Sequence, residues 1–206
     1  MTNPFPHKPN ELRRLIRTRR RELSPHQRQQ AARELARRVA SLQLFQHARH
    51  IAAYLAFDGE MDPAPLVERA WSMGKEVYLP VLMGHPARMV FAPFEPGTTF
   101  ETNRFGIPEP RLAEERHLPA QRLDLVLTPL VAFTFDGTRM GMGGGFYDRT
   151  FAFLTNPEHL HKPRLLGLAY ELQQVEGLVR QPWDVPLDGI ATEAGLYPGN
   201  DGKTLE

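Results

Sequence analysis

The chain has 206 residues, no cysteine and a formal net charge of +1. That length suits one sizeable hydrophobic core, and the missing thiols exclude disulfides, thiolate metal sites and a cysteine nucleophile. Near-neutral charge with ordinary apolar content argues against a disordered chain or one that coats nucleic acid.

No apolar run approaches the roughly 18 residues of a membrane span. The N-terminal stretch MTNPFPHKPN has no apolar signal core. A cytoplasmic protein is therefore expected, with one domain over residues 1–206, no membrane partner and a monomeric state. The charge is uneven, because Arg13, Arg14, Arg17, Arg19, Arg20 and Arg21 crowd one N-terminal segment.

Residues 1–9 carry three prolines and read as an irregular arm. A first helix is predicted from near Asn10, with Leu12, Leu15 and Ile16 as a narrow apolar stripe, ending before Ser24. Ser24, Pro25 and Gln27 form a capping-box start for a second helix that runs to about Ser41. Its apolar face is Ala32, Leu35, Ala36, Val39 and Leu42. Residues 50–56 (HIAAYLA) read as a buried strand, followed by the loop Phe57-Asp58-Gly59-Glu60. Asp62 and Pro63 start another helix, with Leu66, Val67 and Ala70 inward and Gly74 as its stop. The strand at 76–81 completes a strand–helix–strand unit of the size expected for a right-handed parallel crossover.

A third strand is predicted at 88–94. Residues 95–122 form a long Pro- and Gly-rich loop, of a length that often carries function. Residues 124–131 (DLVLTPLV) are nearly all apolar and read as the sheet centre. A strand at 164–169, a short helix or turn within 171–183 and a last strand at 189–192 complete the set. The tail is expected to fray from residue 198. The alternation predicts an α/β fold, a single three-layer αβα domain with a mostly parallel central sheet. Ligands of such sheets bind beyond the carboxyl ends of the strands. The loops at 57–60 and 136–145 both follow strands and are expected at that edge.

The informative stretch is Asp136-Gly137 followed by Arg139-Met140-Gly141-Met142-Gly143-Gly144-Gly145 and then Phe146-Tyr147-Asp148-Arg149. It matches neither the P-loop spacing nor the dinucleotide fingerprint. Taken alone, such a loop serves equally well to turn the chain. Arg139 ahead of the glycines supplies a donor for phosphate. A helix start behind them favours an anion. Asp148 in its first turn suits Mg2+, which takes one or two carboxylates and shares phosphate oxygens.

That run closely resembles the signature of the 5-formyltetrahydrofolate cyclo-ligase (5,10-methenyltetrahydrofolate synthetase) family. Ala53-Tyr54-Leu55, Asp58-Gly59-Glu60-Met61-Asp62, Gly74-Lys75, Leu79-Pro80-Val81, Gly106-Ile107-Pro108-Glu109-Pro110 and Trp183-Asp184-Val185-Pro186 resemble the same family in the same order, as does the basic Leu12-Arg13 helix.

The resemblance implies ATP- and Mg2+-dependent closure of 5-formyltetrahydrofolate, with or without a polyglutamate tail, to 5,10-methenyltetrahydrofolate, with ADP and phosphate released. It places Arg13, Arg139, Met140, Gly141, Met142, Gly143, Gly144, Gly145, Phe146 and Tyr147 at the nucleotide. Lys8 substitutes for a lysine that the family often has where this chain has Pro9. Leu55, Glu60 and Met142 to Phe146 fall at folate positions, and Asp148 and Asp184 at metal positions. It implies no nucleophilic side chain, and phosphoryl transfer would be stabilised by Arg139. Two other readings compete. One is a non-catalytic phosphate- or nucleotide-binding α/β domain. The other is a nucleic-acid-binding module that uses the arginine-rich first helix.

Overall fold

The computed structural model describes residues 8–83, 88–103, 106, 108–111, 116–156 and 163–199. Helix α1 (Pro9–Glu22) buries Leu12, Ile16 and Arg20, one residue per turn along a single stripe. Helix α2 (Pro25–Ala40) starts at the predicted box. The Ser24 hydroxyl accepts the Gln27 N–H at 3.2 Å, and the Gln27 side chain accepts the Ser24 N–H at 2.9 Å. A short helix α3 (Gln43–His47), which periodicity did not suggest, leads into strand β1 (His50–Ala52). Helix α4 (Ala64–Ser72) begins where Asp62 Oδ1 accepts the Ala64 N–H at 2.9 Å, and it stops at Gly74, which has φ +70.

The main sheet also contains β2 (Glu76–Met83), β3 (Arg88–Pro93), β6 (Leu125–Pro129), β9 (Arg164–Leu168), β10 (Gly189–Ala191) and β11 (Leu196–Pro198). Its order is β11-β10-β9-β6-β1-β2-β3, which puts β6 at the centre, as its apolar sequence predicts. Pairs from β10 through β2 are parallel, whereas β3 and β11 pair antiparallel at the two edges.

Alternate residues of each strand face opposite layers. Ile51, Val77, Leu125, Leu127 and Leu166 pack on α2 and α4. Ala52, Tyr78, Val126, Leu165 and Ile190 face the second layer. That layer is thin. It consists of helix α5 (Phe146–Phe151), a 3-10 turn at Ala120–Arg122 and the extended chain around Val185 and Leu187.

Several boundaries differ from the sequence reading. Strand β1 ends at Ala52, because the chain turns over the sheet end, with the Tyr54 hydroxyl donating to Met61 O at 2.6 Å. The loop at 95–122 contains a hairpin of β4 (Phe100–Thr102) and β5 (Pro108–Pro110). Within the motif there, Ile107 lies outside the described residues. Of the expected arm, Lys8 and Pro9 belong to the start of α1, and residues 1–7 lie outside the described residues. Of the expected tail, Pro198 pairs with Gly189 in β11 rather than fraying, and residues 200–206 lie outside the described residues. Among the described residues, no helix is long and apolar enough to cross a membrane.

Candidate active site

The glycine loop is launched by a small hairpin of β7 (Ala132–Phe133) and β8 (Arg139–Met140). Its turn is set by Asp136, whose Oδ1 accepts the Thr138 N–H at 3.1 Å and the Thr134 hydroxyl at 2.5 Å, with Gly137 at φ +83. The chain then crosses the sheet edge as Gly141 to Gly144, all exposed. The N–H groups of residues 141–145 donate to no acceptor among the described residues. Gly143 has φ +95, a backbone that L side chains rarely adopt, and the Arg13 guanidinium lies 3.6 Å from where its Cβ would be. Helix α5 is only six residues long and tightens into a 3-10 turn at Ala152–Thr155. So short a helix contributes little dipole, so an anion at this loop would meet mainly its open N–H groups and the arginines around it.

Arg139 and Asp148 face each other. Arg139 Nη2 lies 2.5 Å from Asp148 Oδ1, and Arg139 Nη1 donates to Val185 O. The same Oδ1 accepts the Val185 N–H at 3.1 Å. This knot ties the 184–185 segment to the loop and brings Asp184 beside it in sequence. Asp184 Oδ2 accepts the Gln181 N–H at 2.8 Å. The second oxygen of each carboxylate has no hydrogen-bond partner among the described residues. Two carboxylates with a lone oxygen apiece, next to a loop open to phosphate, are a hard oxygen donor set that suits Mg2+. Among the described residues, no cluster of three or more His, Asp or Glu side chains could hold a metal by itself, so water or ligand oxygens would have to complete the shell.

Helix α1 docks its stripe on Val131, Ala132 and Met140 and lays its basic face along the loop. Arg13 Nε donates to Gly141 O at 2.9 Å, and its Nη1 donates to Asn10 Oδ1 at 2.8 Å. A groove of about 340 Å³ runs from the loop along the helix, lined by Asn10, Arg13, Arg14, Arg17, Thr18, Arg21 and Met142. Of these, only Arg13 and Met142 were marked by the sequence motifs. Lys8 is exposed at the start of the helix, where its N–H donates to Glu11 Oε2 at 3.4 Å and its carbonyl accepts the Leu12 N–H. Among the described residues, no contact brings its ammonium to the loop.

Arg17 and Arg21 both bond the Asp58 carboxylate, Arg17 at 2.6 Å. Burial alone would raise the Asp58 carboxyl, but these two hydrogen bonds outweigh it and hold it below the ordinary value.

Leu55 and Glu60 sit on the loop after β1, both half-buried. Burial pushes the Glu60 carboxyl up, opposed by the Phe57 N–H that it accepts at 3.2 Å and by the charge of Arg20. Burial also pushes the Tyr147 hydroxyl up, and the Glu60 charge adds to the effect. The contacts of Arg13 with Gly141 and of Arg17 and Arg21 with Asp58 bring the two loops together along α1. Phe57, Met142 and Trp183 are exposed on segments around the sheet edge.

Fold and site define an α/β protein with an exposed glycine loop and clustered arginines at the carboxyl edge of its sheet. The sequence model of the 5-formyltetrahydrofolate cyclo-ligase family matches residues 6–193, and the chain belongs to that family of ligases. The 5-formyltetrahydrofolate cyclo-ligase of Escherichia coli strain K12 is 42% identical over 186 residues, covering 89% of this chain and 99% of that one. The Haemophilus influenzae enzyme of the same name is also 42% identical over 186 residues, covering 89% of this chain and 96% of its own. The structure of Aquifex aeolicus 5,10-methenyltetrahydrofolate synthetase superposes with a TM-score of 0.78 at 31% identity, covering 96% of each chain.

Proposed function

We propose that the protein closes 5-formyltetrahydrofolate to 5,10-methenyltetrahydrofolate in an ATP- and Mg2+-dependent reaction that releases ADP and phosphate. The observation that carries this reading is the convergence of Arg13, Arg139, the open glycine N–H groups and Asp148 on the sheet edge that also holds Glu60. Transfer of the γ-phosphoryl to the formyl oxygen turns a poor leaving group into a good one, which attack by N10 then displaces. Such a transfer needs positioning and charge neutralisation rather than a nucleophilic side chain.

The loop N–H groups and Arg13 would hold the phosphate chain, with the arginine-lined groove giving it a cationic floor. Arg139 would meet the charge that develops on the transferring group. Asp148 and Asp184 would hold Mg2+, which supplies further neutralisation of the phosphates. When ionised, Glu60 is an acceptor only, which suits the donor edge of a pterin. Leu55, Met142 and Phe146 offer apolar contact to its flat rings.

We read the chain as one domain acting as a cytoplasmic monomer. The competing nucleic-acid reading is weakened because Arg17 and Arg21 are turned onto Asp58 and Arg20 is buried.

The test is to mix the protein with 5-formyltetrahydrofolate, Mg2+ and ATP and follow the absorbance of methenyltetrahydrofolate. ATP-dependent product is expected. Its absence, or tight salt-sensitive binding to nucleic acid in its place, would overturn the proposal.

A further inference from the structure

Arg20 is fully enclosed, at 0% exposure, and is the largest completely buried side chain among the described residues. A buried guanidinium is costly unless its donors and charge are matched. Its Nη2 donates to Asp58 O at 3.0 Å, in the loop after β1, and its Nη1 lies 3.4 Å from Leu130 O, just beyond the end of β6. The Asp58 carboxylate is 3.7 Å away. The loop is pressed against the helix end at this point, because Asp58 has φ +52, Gly59 has φ +73, and a Cβ on Gly59 would lie 3.5 Å from Arg20 O. Two residues further along that loop stands Glu60. Its charge is the strongest of those acting on the Arg20 guanidinium, and Arg20 is the strongest favourable side-chain charge acting on Glu60.

We infer that Arg20 is a positioning residue for the substrate half of the site. It bridges the end of β6 and the loop after β1, and thereby fixes where the Glu60 carboxylate stands. This rests on the reading of Glu60 as the carboxylate that faces the pterin. The bridge is rigid because a guanidinium presents its donors in a fixed plane, which a lysine ammonium cannot reproduce. Its positive charge also favours the ionised, accepting form of Glu60. The other groups around that carboxylate do less for it or oppose it. Arg17 of α1 adds weaker attraction, and Asp58 on the same loop repels it. The Tyr54 and Tyr147 hydroxyls are neutral, and the Tyr170 hydroxyl is spent on Glu60 O at 3.2 Å.

The experiment compares wild type with Arg20→Met, Arg20→Lys, Glu60→Gln and the two double variants, all in the full chain. Arg20→Met should raise KM for 5-formyltetrahydrofolate about tenfold, the scale of a lost charged hydrogen bond, and leave KM for ATP within about twofold. Without the Arg20 charge the Glu60 carboxyl rises further, so the acid limb of kcat/KM should move to higher pH. Arg20→Lys should return that limb toward wild type while KM for the folate stays raised. In the Glu60→Gln background, either Arg20 substitution should add little. Equal losses for both substrates, an unmoved acid limb or full additivity with Glu60→Gln would overturn the inference. If Arg20→Met does not fold, the Arg20→Lys and Glu60→Gln cycle decides the matter by the same additivity. A wild-type protein that turns over no 5-formyltetrahydrofolate would instead sink the proposed function, and this inference with it.

Discussion

At the scale of single residues, the site holds charges that already answer one another. Asp148 accepts both Arg139 and the Val185 N–H through one oxygen. Asn at this position keeps an acceptor for the Val185 N–H but loses the charge. Asp148→Asn should therefore fold normally by circular dichroism and melting, while Mg2+-dependent turnover falls more than about tenfold. A folded variant with wild-type turnover would remove Asp148 from the site. Gly143→Val combines a positive-φ penalty of about 1–3 kcal/mol with a side chain directed at the Arg13 guanidinium. The loss should fall on ATP affinity, read by titration, and little on the sheet. Undiminished ATP binding would move the phosphate seat elsewhere.

The glycines, Arg139 and Asp148 were legible because they form one contiguous motif. Their pairing across nine residues was not, since spacing alone does not say which way a loop folds back. Arg20 was legible in principle. It follows Leu12 and Ile16 at intervals of four, the same helical face, but its charge hid it among solvent-facing neighbours.

Among the elements, α1 is the one whose role changed most. Composition presents it as a basic surface helix, whereas Arg17 and Arg21 bond a loop carboxylate and Arg13 and the buried Arg20 donate to backbone carbonyls. This makes its docking sensitive to acid. The Asp58 carboxyl lies below its usual value of 3.8 in the folded chain. The stability it lends is thus complete above that value and is lost as pH falls through the lower folded value. Amide exchange in α1 should accelerate below about pH 4 relative to β6, and Asp58→Asn should show fast α1 exchange already at neutral pH. An α1 that stays as protected as β6 at pH 3 would contradict this.

The α2 start was readable residue by residue, because a capping box is a purely local device. The shortness of α5 was not readable. Its aromatic run looks helical, but those rings serve the second layer, where Tyr147 stacks on Phe151 at 6.3 Å between centroids.

Over the whole molecule, the parallel centre of the sheet could be read from apolar runs separated by helices. The position of β6 in the middle followed from its nearly all-apolar sequence. The antiparallel edges could not be read that way. Strand β11 has three residues beside glycine-rich sequence, whereas β3 follows β2 after only four residues, too few for a parallel crossover, so its direction is fixed by loop length rather than by the apolar runs. Edge pairing is decided by what remains unpaired once the centre has formed.

The contacts of α1 carry a consequence for how the molecule comes into being. Arg17, Arg20 and Arg13 find partners 41, 110 and 128 residues downstream. Contacts at such separations close late, after the chain between them has become ordered. We therefore expect α1, the most N-terminal of the described helices, to be fixed only once the hairpin and the glycine loop exist. In refolding followed by pulsed hydrogen exchange, amides of α1 should gain protection after those of β6, and simultaneous protection would refute this order. The step that seats α1 also brings Arg13 to Gly141, so a nucleotide bound as proposed would hold α1 in place and slow its release.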